Sequence, residues 1–353
     1  MMQELGKTLT VVFFIGATNF ATAFFSTKNT MTGIPIAPSP TFLYPRSESP
    51  TKFRLASTAS STSFSATSQK EPDSSSGKIR GIIFDIDGTL ADSWNLGYQA
   101  TRTVLADYHN NNNNNNNGEE HTSETYPLTS EEYHFGCRYT TPERLARHVG
   151  LEPGHPSFES VGEDLGKKFD DYYVQLVDMS TAGFYEGISD LLVKLHCGDL
   201  VSNSSCESTG DKGGGTRGIQ LGALTNACVE YAHAVLKANC PRYSTDSSAD
   251  DEDKSIYSRF TSIHGANSVP RPKPFGDGIL LCCSEMKLDP SEVIYVGDAP
   301  TDARAAVDAK CRAAIGVLWG SNSEECLKEE KGFNALCKNV KELETAIAHY
   351  LSF

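Results

Sequence analysis

Three things are scarce in this sequence, and each scarcity excludes a class of function. Among ten cysteines there is no C-x-x-C pair and no zinc-ligand spacing, which removes a thioredoxin-like redox motif and a structural zinc site. Basic residues are outnumbered, 31 against 45 acidic, for a formal net charge of −14, so neither nucleic acid nor an anionic membrane is an expected partner. The apolar run Val11 to Ala17, behind Lys7, is too short to cross a bilayer permanently. Acid is scarce in one region only. Between Phe24 and Lys70 there are five basic residues (Lys28, Arg46, Lys52, Arg54, Lys70) and one acid, Glu48.

That local imbalance separates the first 77 residues from the rest. Lys7, the short apolar core and the small residues Ala21-Thr22-Ala23 have the three-part pattern of a signal peptide over 1–23. The Ser-, Thr- and Pro-rich stretch that follows, 24–77, resembles a transit peptide. Together they look like the bipartite leader of algae with secondary plastids, where the cleavage region reads much like Ala21-Thr22-Ala23-Phe24. The expected address is the chloroplast stroma, with secretion ahead of a disordered linker as the alternative. The leader carries +2 (six basic, four acidic), so the remainder carries −16.

The remainder is built around Ile82-Ile83-Phe84-Asp85-Ile86-Asp87-Gly88-Thr89-Leu90. A short apolar run ending in two carboxylates and a Gly-Thr turn reads as a buried strand delivering Asp85 and Asp87 to its carboxyl end. Alone, the same residues could form a polar turn or a calcium loop. The residues downstream decide between these readings. Further strands are expected at Ile219–Leu224, Phe260–His264, Val293–Val296 and Ala313–Val317, alternating with helices over Val229–Leu236, Gly278–Met286, Ala303–Ala309 and Val340–Leu351. This alternation predicts a doubly wound parallel sheet, an α/β Rossmann-like core over 78–92 and 184–353.

Residues 93–183 interrupt that pattern with helical periodicity and read as an inserted all-helical cap domain. A helix beginning near Asp92 or Ser93 is expected to end at His109, before the Asn110–Asn117 run, a low-complexity tract read as a protruding loop. Thr141-Pro142-Glu143 opens another helix, with proline in its first turn. Phe158, Val161, Leu165, Phe169, Tyr172, Tyr173 and Leu176 form an apolar stripe read as packing. Cys282 and Cys283 read as small buried hydrophobes. Cys197 and Cys206 flank a Gly/Ser-rich loop and could form a disulfide, although free surface cysteines are the commoner outcome. Asp250–Asp253 reads as a solvated loop.

On this sheet four strand ends converge, bringing Asp85, Asp87, Thr225, Lys273, Asp298 and Asp302 to one edge. These are the residue types that phosphoryl transfer needs. A carboxylate can attack phosphorus, and a second can divide the acid–base work with it. Oxygen ligands suit Mg²⁺, and a hydroxyl and an ammonium can hold phosphoryl oxygens.

In this order the residues resemble the haloacid dehalogenase-type phosphatases. Asp85-x-Asp87-Gly88-Thr89 matches the first motif, Thr225 the second, Lys273 the third and Gly297-Asp298-x-x-x-Asp302 the fourth. The resemblance implies Asp85 as nucleophile and Asp87 as general acid and base. It implies Thr225 and the Asn226 region, with Gly88 in the loop, around the phosphoryl group, and Lys273 steadying Asp85 and the phosphate. Mg²⁺ would be held by the Asp85 side chain, the Asp87 backbone carbonyl and Asp298, with Asp302 either a ligand or a partner of one. Asp87 is the carboxylate that dehalogenases of this superfamily lack, so the expected substrate is a phosphate ester.

Pro270-Arg271-Pro272-Lys273-Pro274, Val296–Asp302 and Ile315–Gly320 look like phosphoglycolate phosphatases, which makes 2-phosphoglycolate the expected substrate. Ala309-Lys310-Cys311, where that family has Ala-Gly, departs from the pattern. The alternatives are another small ester (a sugar phosphate, pyridoxal phosphate or a nucleotide), a phosphomutase, or a non-enzymatic binding protein. Arg138, Arg144 and His148 could meet a substrate carboxylate, although charges on such helices ordinarily face solvent. The oligomeric state is left open.

Overall fold

The computed structural model describes residues 78–117, 126–200, 218–242 and 255–352. The leader, Cys206, most of the Gly/Ser-rich loop and the Asp250–Asp253 run lie outside the described residues.

β1 (Gly81–Phe84) sits inside a six-stranded sheet with β4 (Gln220–Leu224) and β5 (Phe260–His264) on one side. β6 (Val293–Gly297), β7 (Ala313–Val317) and β8 (Ala335–Cys337) lie on the other, giving the order β5-β4-β1-β6-β7-β8. All five pairings are parallel, as strands joined by crossover helices require. Side chains alternate across the pleat. Ile82, Phe84, Ile294 and Val296 enter one hydrophobic cluster, while Ile83, Val293 and Tyr295 enter another.

The second cluster is closed by α7 (Asp277–Met286) and α8 (Pro300–Asp308), and includes Cys282 and Cys283 as buried packing residues. The first is closed by α5 (Ile188–Cys197), α6 (Val229–Asn239) and α10 (Val340–Leu351). The sheet is thus covered on both faces, which explains the near-continuous apolar character of its strands.

Between β1 and β4 the chain forms α1 (Trp94–Asn117), α2 (Ser130–Gly136), α3 (Thr141–His148) and α4 (Phe158–Gln175). Thr129 and Glu132 make a reciprocal capping box at the start of α2, and Pro142 occupies the first turn of α3. The chain leaves the core through β2 (Ala91–Asp92) and returns through β3 (Gly183–Phe184). These short strands pair antiparallel and hold the two crossings together.

Three features differ from the sequence expectations. α1 does not stop at His109 but continues through the asparagine run, because extending an existing helix needs only one new hydrogen bond per residue and Asn, unlike Pro, supplies its donor. β8 adds a sixth strand of three residues, too short for period-two alternation to show. Residues 324–329 form a further helix, α9. Among the described residues no helix is long and apolar enough to cross a membrane.

Ile294 in β6 is fully buried beside β1. Ile294→Ala is expected to lower the unfolding free energy by about 2–5 kcal/mol, as large-to-small changes in packed cores do. The check is the urea midpoint; an unchanged midpoint would mean that the sheet is not packed as described.

Candidate active site

The central place of β1 determines where the site lies. Asp85 extends the strand, its N–H donating to the Val296 carbonyl at 2.8 Å. The chain then turns sharply. The N–H groups of Thr89, Leu90 and Ala91 all converge on the Ile86 carbonyl, and Gly88 has φ +75°, a conformation that glycine adopts without strain. A Cβ at Gly88 would run into the Asp298 carboxylate, so close approach is a second reason for glycine there. The indole N–H of Trp319, just past β7, donates to the Thr89 carbonyl at 3.1 Å and ties the turn down.

Lys273 connects three of the expected motifs. Its Nζ lies 2.6 Å from Asp85 Oδ1 and 2.7 Å from Asp302 Oδ1, with all three residues buried. Asn226 fixes the Lys273 backbone from both sides: the Lys273 N–H donates to Asn226 Oδ1 at 3.0 Å, and Asn226 Nδ2 donates to the Lys273 carbonyl at 3.1 Å. Asp302 is held in turn by the Ala299 N–H at 2.9 Å and the Tyr295 hydroxyl at 3.1 Å. Asp298 accepts from the Ser321 N–H at 3.0 Å. Oxygens of Asp85, Asp298 and Asp302 lie within 4.8 Å of one another.

The electrostatics follow from packing carboxylates together out of water. Burial pushes Asp85 well above the usual carboxylate range. Lys273 opposes that shift, while Asp302, Asp298 and Asp87 add to it. Burial, then repulsion from Asp302, raises Asp298 to about 7. Burial would lower Lys273, but Asp302 and Asp85 more than offset this and its ammonium is stabilised.

Asp87 points away from that cluster into a shell of hydroxyls. Ser93 Oγ and the hydroxyls of Tyr231 and Tyr173 donate to its Oδ1 at 2.5, 2.6 and 3.2 Å, and Thr225 Oγ1 donates to Oδ2 at 2.9 Å. Hydroxyls both donate and accept, so the same shell can serve the carboxylate and the carboxylic acid. Tyr173 comes from α4 and Tyr231 from α6, and their rings stack with centroids 4.2 Å apart. The inserted helices therefore contact the acid–base candidate directly.

The residues named from the four motifs all reach this site: Asp85, Asp87, Gly88, Thr225, Asn226, Lys273 and Asp298 line one cavity of about 1140 Å³, with Asp302 buried against Lys273. Ser93 was named only as a possible helix start, and Tyr231 and Tyr295 fell within an expected helix and strand with nothing in their local pattern to mark them for the site. Tyr173 was named only as packing, and its hydroxyl does more than that. Of the three helix charges, Arg138 is exposed and His148 half-buried, but Arg144 is only 5 % exposed and does not face solvent. It lies on the side of α3 that also buries Thr141 and Leu145, the face turned to α4.

A family of haloacid dehalogenase-like hydrolases matches residues 79–310. The phosphoglycolate phosphatase of Salmonella typhimurium is 24 % identical over 256 residues, spanning 70 % of this chain and 85 % of the relative; that of Escherichia coli is 23 % identical with the same coverage. Among solved structures, CbbY from Rhodobacter sphaeroides in complex with phosphate superposes with a TM-score of 0.53 at 21 % identity, covering 75 % of this chain and 96 % of that one. A predicted phosphoglycolate phosphatase from Haemophilus somnus superposes with a TM-score of 0.51 at 19 % identity, covering 76 % and 98 %. With its sheet, its four motifs and the family match in agreement, the chain belongs to the haloacid dehalogenase-like hydrolases and is an enzyme of their phosphatase type, similar to phosphoglycolate phosphatases.

Proposed function

We propose that the protein hydrolyses 2-phosphoglycolate through a phosphorylated Asp85. The observation that carries this reading is the buried Lys273–Asp85 pair, with Asp87 two residues away and held separately. Lys273 occupies Asp85 Oδ1, while the nearest partner of Oδ2 is the Thr89 hydroxyl at 3.5 Å, so Oδ2 keeps lone pairs available for attack. As the Asp85–phosphorus bond forms, the bond to the leaving oxygen breaks, and Asp87 gives that oxygen a proton. Asp87 then takes a proton from water, which attacks phosphorus and releases inorganic phosphate and free Asp85. Lys273 and Thr225 offset charge on the phosphoryl oxygens. The likeness to phosphoglycolate phosphatases supports the choice of ester.

The donor set fits Mg²⁺. Four carboxylates at the site face one ammonium, and three of them are buried with oxygens close enough to share an ion. Hard oxygen donors with an excess of negative charge are the surroundings Mg²⁺ takes. Asp85, Asp298 and the Asp87 carbonyl would hold it, with Asp302 kept by Lys273 as their partner; when bound, it supplies positive charge opposite the phosphoryl oxygens.

For localisation, we read residues 1–23 as a signal peptide and 24–77 as a transit peptide directing the enzyme to the stroma of a secondary plastid. A fluorescent fusion of residues 1–77 is expected to light the plastid of a diatom, and fluorescence in the medium would contradict the reading.

Phosphate release should be measured with Mg²⁺ across a panel of small phosphate esters. 2-Phosphoglycolate is expected to lead by kcat/KM, with turnover lost on chelation and in Asp85→Asn. Another leading ester would overturn the substrate, and an active Asp85→Asn the nucleophile. Lys273→Met is expected to lower kcat by about 10²–10³-fold and stability by about 3–5 kcal/mol, because it leaves two buried carboxylates without their cation. Steady-state kinetics and urea unfolding check both effects, and unchanged kinetics would contradict the role given to Lys273.

A further inference from the structure

Two cationic side chains are buried among the described residues, and they are treated differently. Lys273 is paired with two carboxylates. Arg144 has none within ion-pair distance. Its guanidinium lies 4.9 Å from the ring centre of Phe169 and 5.1 Å from that of Tyr133, and its Nη1 is 4.0 Å from Cys137 Sγ. Asp170 on α4 senses it only at longer range. Neighbouring arginines show the usual alternative: Arg147 pairs with Glu143 and Glu152, and Arg304 with Glu330. A guanidinium stays charged in a protein, and aromatic faces offset only part of the loss of water. Tyr133 and Cys137 supply its polar contacts, and a buried cation without a carboxylate partner still favours an anion beside it.

Arg144 also lines the cavity that holds Asp85, Asp87, Thr225 and Lys273. We infer that Arg144 is the residue through which the inserted helices read a carboxylate on the alcohol part of the substrate. The phosphoryl group would sit at Lys273 and the carboxylate at Arg144, one anion for each buried cation. The inference rests on the phosphatase reading above and adds to it the residue that selects a phosphorylated hydroxy acid over an ester without a carboxylate. A carboxylate suits the site better than a second phosphate. One guanidinium offers a planar fork that matches a carboxylate, and of the other arginines on the cavity wall Arg304 is already paired with Glu330 while Arg138 is exposed to water.

The test uses matched pairs of esters that differ only in the carboxylate: 2-phosphoglycolate with ethylene glycol monophosphate, and 3-phosphoglycerate with glycerol 3-phosphate. In the parent enzyme the carboxylate member should lead within at least one pair. Arg144→Met is expected to cut the within-pair ratio of kcat/KM by on the order of 100-fold, mostly through KM, as loss of one partner of a buried charge pair does. Arg144→Lys should recover part of it, and reports on the proposal if the methionine variant does not fold. If both members fall together, Arg144 is only structural and the inference is overturned. It is equally overturned if a sugar bisphosphate depends on Arg144 more than any carboxylate does. If 3-phosphoglycerate rather than 2-phosphoglycolate shows the contrast, the assignment of Arg144 stands and the named substrate falls.

Discussion

The ammonium of Lys273 lies between Asp85 and Asp302, at 2.6 and 2.7 Å, with all three residues buried. Charges of one sign cannot be gathered in such a place without compensation, and each remaining feature of the site follows from that. Asn226 clamps the lysine backbone so that its side chain arrives from one direction. Tyr295 and the Ala299 N–H hold Asp302, which anchors the lysine without occupying the cavity. Burial and repulsion from Asp302 raise Asp298 to about 7, with the Ser321 N–H and Lys273 opposing the shift.

The sheet supplies the convergence. β1 lies between β4 and β6, so residues more than 130 positions apart meet at its carboxyl end: Thr225 with Asp87, and Lys273 with Asp85. The inserted helices supply what the sheet cannot. Tyr173 reaches Asp87 from α4, and Arg144 reaches the cavity from α3. The insertion is tied to the core by the paired crossings at Ala91–Asp92 and Gly183–Phe184, by the packing of α4 on α6 and by the Tyr173–Asp87 hydrogen bond. The four motifs thus sit on the core, while the insertion adds Tyr173 beside Asp87 and Arg144 on the cavity wall.

That division explains which parts were legible in the sequence. Asp85, Thr225 and Asp298 each end a short apolar run, so local pattern alone put them at strand ends and topology brought them together. Asp302 opens the following helix at a fixed offset from Asp298. The hydroxyl shell of Asp87 was not legible, because Tyr173 and Tyr231 sit in ordinary helical stripes and only tertiary packing stacks them. Arg144 looked like a surface charge because sequence periodicity does not show which face of α3 meets α4. β2, β3 and β8, at two or three residues each, are too short to carry a period.

The claim on which everything else rests is that Asp85 attacks phosphorus. The direct test is to quench the parent enzyme in acid during turnover of its best ester, reduce with borohydride and map the peptides by mass spectrometry. An acyl phosphate on Asp85 would be reduced to homoserine at that position alone. Finding no reduced residue under conditions of steady turnover, or a reduced residue elsewhere, would contradict the account and leave the Lys273–Asp85 pair with a purely structural part.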